Sequence, residues 1–164
     1  MLLKGHQKYG FKMEQKTSNE KKTGKFAAVR VRGLTGVRTK IQDTLQFLRL
    51  YKNNFCSVLP NNPVYLGMLK KAKDYITWGE ISEETFNMLA DKRGEEFKDR
   101  ETDTKGKIKY NDFFMHNNKK LKKYFRLNAP KKGFGRKGIK NSFQRGGALG
   151  YRGDKINDLI KRMI

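Results

Sequence analysis

The residues best suited to chemistry in this chain lie between Pro130 and Gly153, in the run PKKGFGRKGIKNSFQRGGALGYRG. Glycines, cations and single aromatics alternate there without an apolar period, so neither a regular helix nor a regular strand is expected. From Phe113 through Gly153 there is no acidic residue. Lys119, Lys120, Lys122, Lys123, Arg126, Lys131, Lys132, Arg136, Lys137, Lys140, Arg145 and Arg152 supply twelve cations. Cations without counter-charges repel one another, and a polyanion would supply the missing charge. Glycine lets backbone N–H groups approach phosphates. Phe134, Phe143 and Tyr151 could stack on bases or wedge into the protein's own fold. The competing reading is a disordered basic tail, but an apolar-periodic helix follows and ties down the far end. The stretch is expected to be mobile in the free protein and to order on RNA.

Other chemistry finds no support in the residue spacing. Gly133-Phe-Gly135-Arg-Lys-Gly138 matches G-x-G-x-x-G but lacks the flanking strand and helix and the later acid of a dinucleotide site. His6 and His116 lie far apart, with no Cys/His ligand spacing, and His116 reads as an exposed helix residue. Asp99, Glu101 and Asp103 lack the glycine and the bidentate Glu of a calcium loop. Cys56 falls in a short apolar run, as a small core residue does. No catalytic residue, cofactor or metal is expected.

The elements that must position the basic stretch come from a small chain. Its 164 residues carry 38 Lys+Arg against 16 Asp+Glu, a formal charge of +22, which points to nucleic acid or another anionic surface. Apolar residues are 36%, so the core should be small. One cysteine leaves no internal disulfide framework and fits a reducing compartment. No run approaches the ~20 apolar residues of a membrane span, and no signal-peptide core follows Met1. A cytoplasmic protein is expected.

Residues 1–25 read as a basic arm, either ordered on RNA or a plain mobile terminus. Residues 26–80 read as a β-α-β-α-β core. The first strand is Phe26–Arg32, with Ala27, Val29 and Val31 on one face and Ala28, Arg30 and Arg32 on the other. A helix follows from about Val37 to Tyr51, then a strand at Phe55–Leu59. Asn62-Pro63 starts a second helix, and Tyr75–Trp78 is a strand ended by Gly79. Helices are expected on one face of this sheet, leaving Arg30 and Arg32 open to a ligand. Residues 81–128 read as a helical extension. Ser82 caps a helix ending at Gly94, an acidic loop follows, Asn111 starts a helix to about Lys122, and Tyr124–Asn128 is an edge strand. Residues 129–164 are the basic stretch and a last helix capped by Asp154, with Ile156, Leu159, Ile160 and Met163 inward.

Several of these segments together carry a family resemblance. FAAVRVRGLTGVRTKIQDTLQFLRL (26–50), NPVYLGMLKKAKDYITWGE (62–80), DKRG (91–94), FRLNAPKKGF (125–134) and FQRGGALGYRGDKINDLIKRMI (143–164) resemble the universal large-subunit ribosomal protein L-thirty family in its long archaeal and eukaryotic form, called L-seven in eukaryotes. The resemblance runs from about Phe26 to Ile164. It implies an α+β fold resembling a split ferredoxin-like unit, with extra helices and a basic glycine-rich C-terminal extension. It also implies a monomeric structural component of the large subunit that binds ribosomal RNA beside neighbouring ribosomal proteins. The segment between Gly94 and Lys107 is shorter than in eukaryotic members, as is the N-terminal arm. Arg145 stands where relatives commonly carry an acid. These departures look archaeal.

The residues expected to meet RNA are Arg30 and Arg32 on the first strand, Gly36, Arg38 and Lys40 entering the first helix, and Lys70 and Lys71 on the second. In the basic stretch they are Lys131, Lys132, Gly133, Arg136, Lys137, Lys140, Arg145, Gly146, Gly147 and Arg152. A free-standing RNA chaperone or transient RNA-binding regulator would have the same composition, and an RNA-modifying enzyme is disfavoured by the missing catalytic groups.

Overall fold

The computed structural model describes residues 24–164. The arm expected over residues 1–25 lies almost wholly outside the described residues. Lys25 belongs to the first strand.

Strand β1 (Lys25–Arg30) runs into α1 (Thr39–Phe47), β2 (Phe55–Pro60), α2 (Pro63–Lys71), β3 (Ile76–Ile81) and α3 (Glu83–Arg93). A hairpin of β4 (Phe113–His116) and β5 (Lys119–Lys122) follows. Then come β6 (Phe125–Arg126), a 3-10 turn over Phe143–Arg145, β7 (Gly150–Tyr151), a second 3-10 turn over Gly153–Lys155, and α4 (Ile156–Met163). The main sheet has the order β6-β2-β1-β3-β7. Both β2 and β3 lie antiparallel to β1, in registers that include Val29 opposite Cys56 and Arg30 opposite Ile76. Two parallel strands joined through α2 thus flank a strand inserted between them, a split β-α-β arrangement. The fold is α+β.

Helices cover both faces of this sheet, not one. On one face Phe26, Ala28, Leu59 and Trp78 pack against Leu45 of α1 and Leu48 just after it, and against Leu69 of α2 and Ala72 just after it. On the other face Ala27, Val29, Cys56 and Ile81 meet Leu89 and Ala90 of α3, Phe125, and Ile156, Leu159, Ile160 and Met163 of α4. Five of the six residues of β1 are buried. That is how a central strand with two packed faces behaves, and its near-continuous apolar run agrees.

Local chemistry explains most element ends. Asn62 accepts from the amide of Val64 and Pro63 occupies the first position of α2. Ser82 accepts from the amide of Thr85 at the start of α3, and Lys92 and Arg93 sit in its last turn. Helix α1 is shorter than its apolar period suggests, because Arg49 takes φ 60° and turns the chain toward β2. Gly79 does not end β3. It lies inside the strand, where a Cβ would stand 2.0 Å from the carbonyl oxygen of Gly153, so the glycine admits the turn before α4.

Two elements differ in kind from expectation. Residues 111–122 form the β4–β5 hairpin, not a helix. Asn117 and Asn118 both take positive φ, 47° and 61°, the pairing that a two-residue hairpin turn demands. The hairpin packs inward through Phe114, whose ring lies 5.9 Å from Phe86 and 6.1 Å from Phe125. His116 is therefore a strand residue, with Nε2 3.2 Å from Asp91 Oδ1. Asp154 does not cap α4 through its side chain. It lies in the preceding 3-10 turn, and Asn157 fixes this corner by donating to the carbonyls of Asp154 and Glu80 and accepting from the amide of Ser82.

Candidate nucleic-acid interface

Arg30 and Arg152 do not present their guanidinium groups to a ligand. Arg30 is 1% exposed. Its Nη1 donates to the carbonyls of Leu50 at 2.7 Å and Tyr51 at 3.2 Å, its Nη2 to Gly33 at 3.0 Å, and its Nε to Arg32 at 3.0 Å. The side chain thus ties the loops on either side of α1 to the end of β1. Burial holds its pKa below the ordinary value. Arg152, 6% exposed, donates to Thr77 Oγ1 at 2.9 Å, Ala148 O at 2.9 Å and Phe134 O at 3.3 Å. It also lies 4.5 Å from the centroid of the Phe143 ring. Desolvation, followed by the nearby charge of Arg162, brings its pKa down to about 10. Among the described residues, neither arginine has a carboxylate partner. Both use the planar five-donor fork of guanidinium to collect carbonyls that would otherwise be buried unsatisfied.

The C-terminal half of the basic stretch is therefore anchored by the protein itself. Ala148 and Leu149 are buried and pack with Val31 and Phe134. Strand β7 lies parallel to β3, with Thr77 opposite Gly150. Residues 141–149 close on themselves: Ala148 and Leu149 donate to Asn141 O, and Phe143 donates to Leu149 O at 2.7 Å. Gly147 is a packing glycine, since a Cβ there would stand 2.3 Å from Asn141 O. Gly146 takes φ 87° at the end of the 3-10 turn, and Gly133 takes φ 74°. Arg162 Nη1 holds the first turn by donating to the carbonyls of Lys131 and Gly133.

This scaffold displays a cluster of free cations. Arg136, Lys137, Lys140 and Arg145 are exposed, as are Lys131 and Lys132. The amide of Lys137 donates to Gly146 O, and a Cβ at Gly135 would stand 2.7 Å from Gly147 O, so the 133–138 and 146–147 segments touch. That contact brings Arg136 and Lys137 into one lobe with Arg145. Among the described residues, the ion pairs all lie between Arg49 and Arg126. Glu95 meets Arg126 and Lys122, Glu101 meets Lys120, and Asp112 meets Arg49 at 2.8 Å. The acids thus neutralise the hairpin and edge strand and leave the lobe uncompensated.

A second cationic region lies on the α1–α2 side. Gly36, Arg38 and Lys40 are exposed at the entry to α1, and Lys70 and Lys71 are exposed at the end of α2. Arg32 is half-buried, with its guanidinium 5.2 Å from the Tyr75 ring centroid and Nη1 3.3 Å from Asp74 O. The lobe and Arg32 share one end of the sheet, because Val31, next to Arg32, packs on Ala148 and Leu149. Residue periodicity missed Thr77, Glu80 and Asn157, which position the lobe. The hydroxyl of Tyr151 donates to both oxygens of Glu80, at 2.6 and 2.8 Å. No local pattern marks these contacts, which span more than seventy residues.

The profile of the family described as ribosomal protein L30p/L7e matches residues 26–76. The large ribosomal subunit protein uL30 of Nanoarchaeum equitans is 47% identical over 153 residues, covering 85% of this chain and 98% of its own length. That of Methanosphaera stadtmanae is 41% identical over 153 residues, covering 85% and 99%. That of Methanococcus maripaludis is 43% identical over 158 residues, again covering 85% and 99%.

Proposed function

Because this chain belongs to the ribosomal protein L30p/L7e family, we propose that it is a structural constituent of the large ribosomal subunit that binds ribosomal RNA through the basic lobe of residues 131–145. One observation carries this reading. The lobe holds Arg136, Lys137, Lys140 and Arg145 exposed, and among the described residues none of them has an acidic partner. Phosphate contacts would supply the missing charge and release condensed counterions. Gly36, Arg38, Lys40, Lys70 and Lys71 form a second contact region. Arg30 and Arg152 act behind the surface, holding the loops in shape. Neighbouring ribosomal proteins are further partners, and the protein works in the cytoplasmic ribosome. No helix among the described residues is long and apolar enough to cross a membrane.

The test is binding to protein-free large-subunit rRNA across a salt series, combined with sedimentation of large subunits through a high-salt wash. A structural constituent binds with log Kd rising about 0.7–0.9 per phosphate contact against log salt and stays with the washed subunit. A salt-independent affinity, or loss in the wash, defeats the proposal.

A further inference from the structure

Two helix rows face each other across the α1–α2 side of the sheet. Lys40, Asp43, Thr44 and Phe47 fall at i, i+3, i+4 and i+7 along α1, and Gly67, Met68 and Lys71 at i, i+1 and i+4 along α2. Between them is an open groove of about 420 Å³. Phe47 is 73% exposed at its rim. A phenylalanine this exposed covers almost nothing among the described residues.

Gly67 is the second anomaly. It occupies the middle of α2, where glycine is among the worst helix formers. Elsewhere in this fold a glycine admits a close neighbour, as Gly79 admits Gly153. At Gly67 an added Cβ would meet nothing within 4 Å, and the residue is exposed. The described residues therefore give no steric reason for glycine there. A bare patch of helix backbone beside an exposed ring is a surface shaped for close approach from outside.

We infer that the groove between α1 and α2 seats a nucleotide of the bound RNA, its base stacked on Phe47 and its ribose packed on the backbone at Gly67. The inference rests on the RNA-binding reading above and adds a site to it. Charge selects RNA as the occupant. Lys40 and Lys71 line the groove and Lys70 is exposed beside it, so phosphates on both sides of a stacked nucleotide find cations. Among the described residues Asp43 is the one carboxylate lining the groove, and it can accept a hydrogen bond from a ribose 2′-hydroxyl or an exocyclic amine. Stacking on an aromatic ring is tolerant of base identity, so the site contributes affinity and register more than sequence discrimination.

The test pairs stability with affinity for protein-free large-subunit rRNA at fixed salt, using Phe47→Ala and Gly67→Gln. Phe47→Ala leaves Tm unchanged and weakens binding about tenfold, within the range of a lost base stack. Gly67→Gln raises Tm by about 1–4 °C, because a good helix former replaces glycine in open space, and also weakens binding about tenfold. A residue with a merely structural role would not gain stability while losing affinity. If both variants bind as wild type does, with the salt dependence intact, the groove is empty in the complex: the inference falls and the RNA-binding reading stands. If both bind free rRNA normally but are lost from salt-washed subunits, a protein occupies the groove and the inference is overturned. If the wild-type chain itself does not bind the rRNA, both fall together.

Discussion

The Nε–H of Arg152 donates to the hydroxyl oxygen of Thr77 at 2.9 Å, and that hydroxyl donates onward to the carbonyl of Gly150 at 3.0 Å. The two residues stand 75 positions apart in the chain, one on β3 and one just after β7. Their contact fastens the glycine-rich lobe to the central sheet. Replacing Arg152 by Ala leaves the carbonyl of Ala148 buried without its donor and removes the cation over Phe143. A loss of about 1–3 kcal/mol in stability follows, read as a lower midpoint in urea denaturation. Arg152→Lys does not restore it, because one ammonium cannot reach three acceptors arranged for a planar fork. Full recovery by lysine would show that charge, not the fork, holds the lobe.

Next to Arg152, Tyr151 titrates in the opposite sense. Burial, then the hydrogen bond to Glu80, push its phenol up to about 12. A raised pKa in the folded state adds stability below the ordinary tyrosine value and loses it as pH climbs toward about 12. Arg152 is a base brought down to about 10. Burying its charge subtracts from the stability its hydrogen bonds give at all lower pH, and that cost fades from about 10 up to its ordinary value. A difference titration at 295 nm between wild type and Tyr151→Phe isolates the phenol. The missing tyrosine should titrate near 12, and a difference signal centred on the ordinary value would remove the Glu80 contact from the account.

The buried thiol gives a probe of the core. Cys56 is fully buried on β2, and burial raises its pKa to about 12. The thiolate is the reactive species, so at pH 8 Cys56 should resist a disulfide reagent until the sheet opens. Its labelling rate in increasing urea should track global unfolding measured by circular dichroism. Fast labelling of the native protein would mean that β2 and β6 separate locally.

What could be read from the chain depended on how far apart the cooperating residues lie. Asn62-Pro63, Ser82 and the spacing of Ile156, Leu159, Ile160 and Met163 act within a turn or two of helix, and each is found as expected. Arg30 looked like the polar face of a strand because alternation cannot see that the carbonyls of Leu50 and Tyr51 wait twenty residues on. The β4–β5 hairpin was hidden because Asn111 reads as a helix cap, while the left-handed turn that joins the strands sits at Asn117-Asn118, inside the span expected to be helical. Only the apolar faces of Phe86 and Phe125, distant in sequence, decide for strands. The lobe was half legible. Its cation excess is compositional, but its anchoring through Thr77, Trp78 and Arg162 is tertiary.

Stability and RNA affinity should separate by site. Leu48 is fully buried between α1 and the sheet. Leu48→Ala should cost about 2–5 kcal/mol through the cavity it leaves, with rRNA binding lost only as the fold is lost. The triple change of Arg136, Lys137 and Lys140 to Ala touches exposed side chains that form no ion pair among the described residues. Stability should move by less than about 0.5 kcal/mol per site. The salt slope of rRNA binding should fall by about 0.7–0.9 for each phosphate contact removed. An unchanged slope would move the RNA contact away from the lobe.

Within the glycine-rich stretch, protection from hydrogen exchange should change sharply between its two halves. The amides of Ala148 and Leu149 donate to Asn141 O, and that of Arg152 donates to Trp78 O at 2.9 Å. Ala148 and Leu149 are also buried against Val31. The amides of Arg136, Ile139 and Lys140 have no backbone acceptor among the described residues, and all three residues are exposed. In the free protein, residues 148–152 should therefore exchange with the slow amides of β1, while Arg136, Ile139 and Lys140 exchange near the rate of an open loop. Addition of large-subunit rRNA should slow the second group and leave the first unchanged, because phosphates can order only what the fold has left free. Uniform fast exchange across 136–152 in the free protein would mean that the Arg152–Thr77 anchor does not hold the lobe. Uniform slow exchange would mean that the cation cluster is already rigid before RNA arrives.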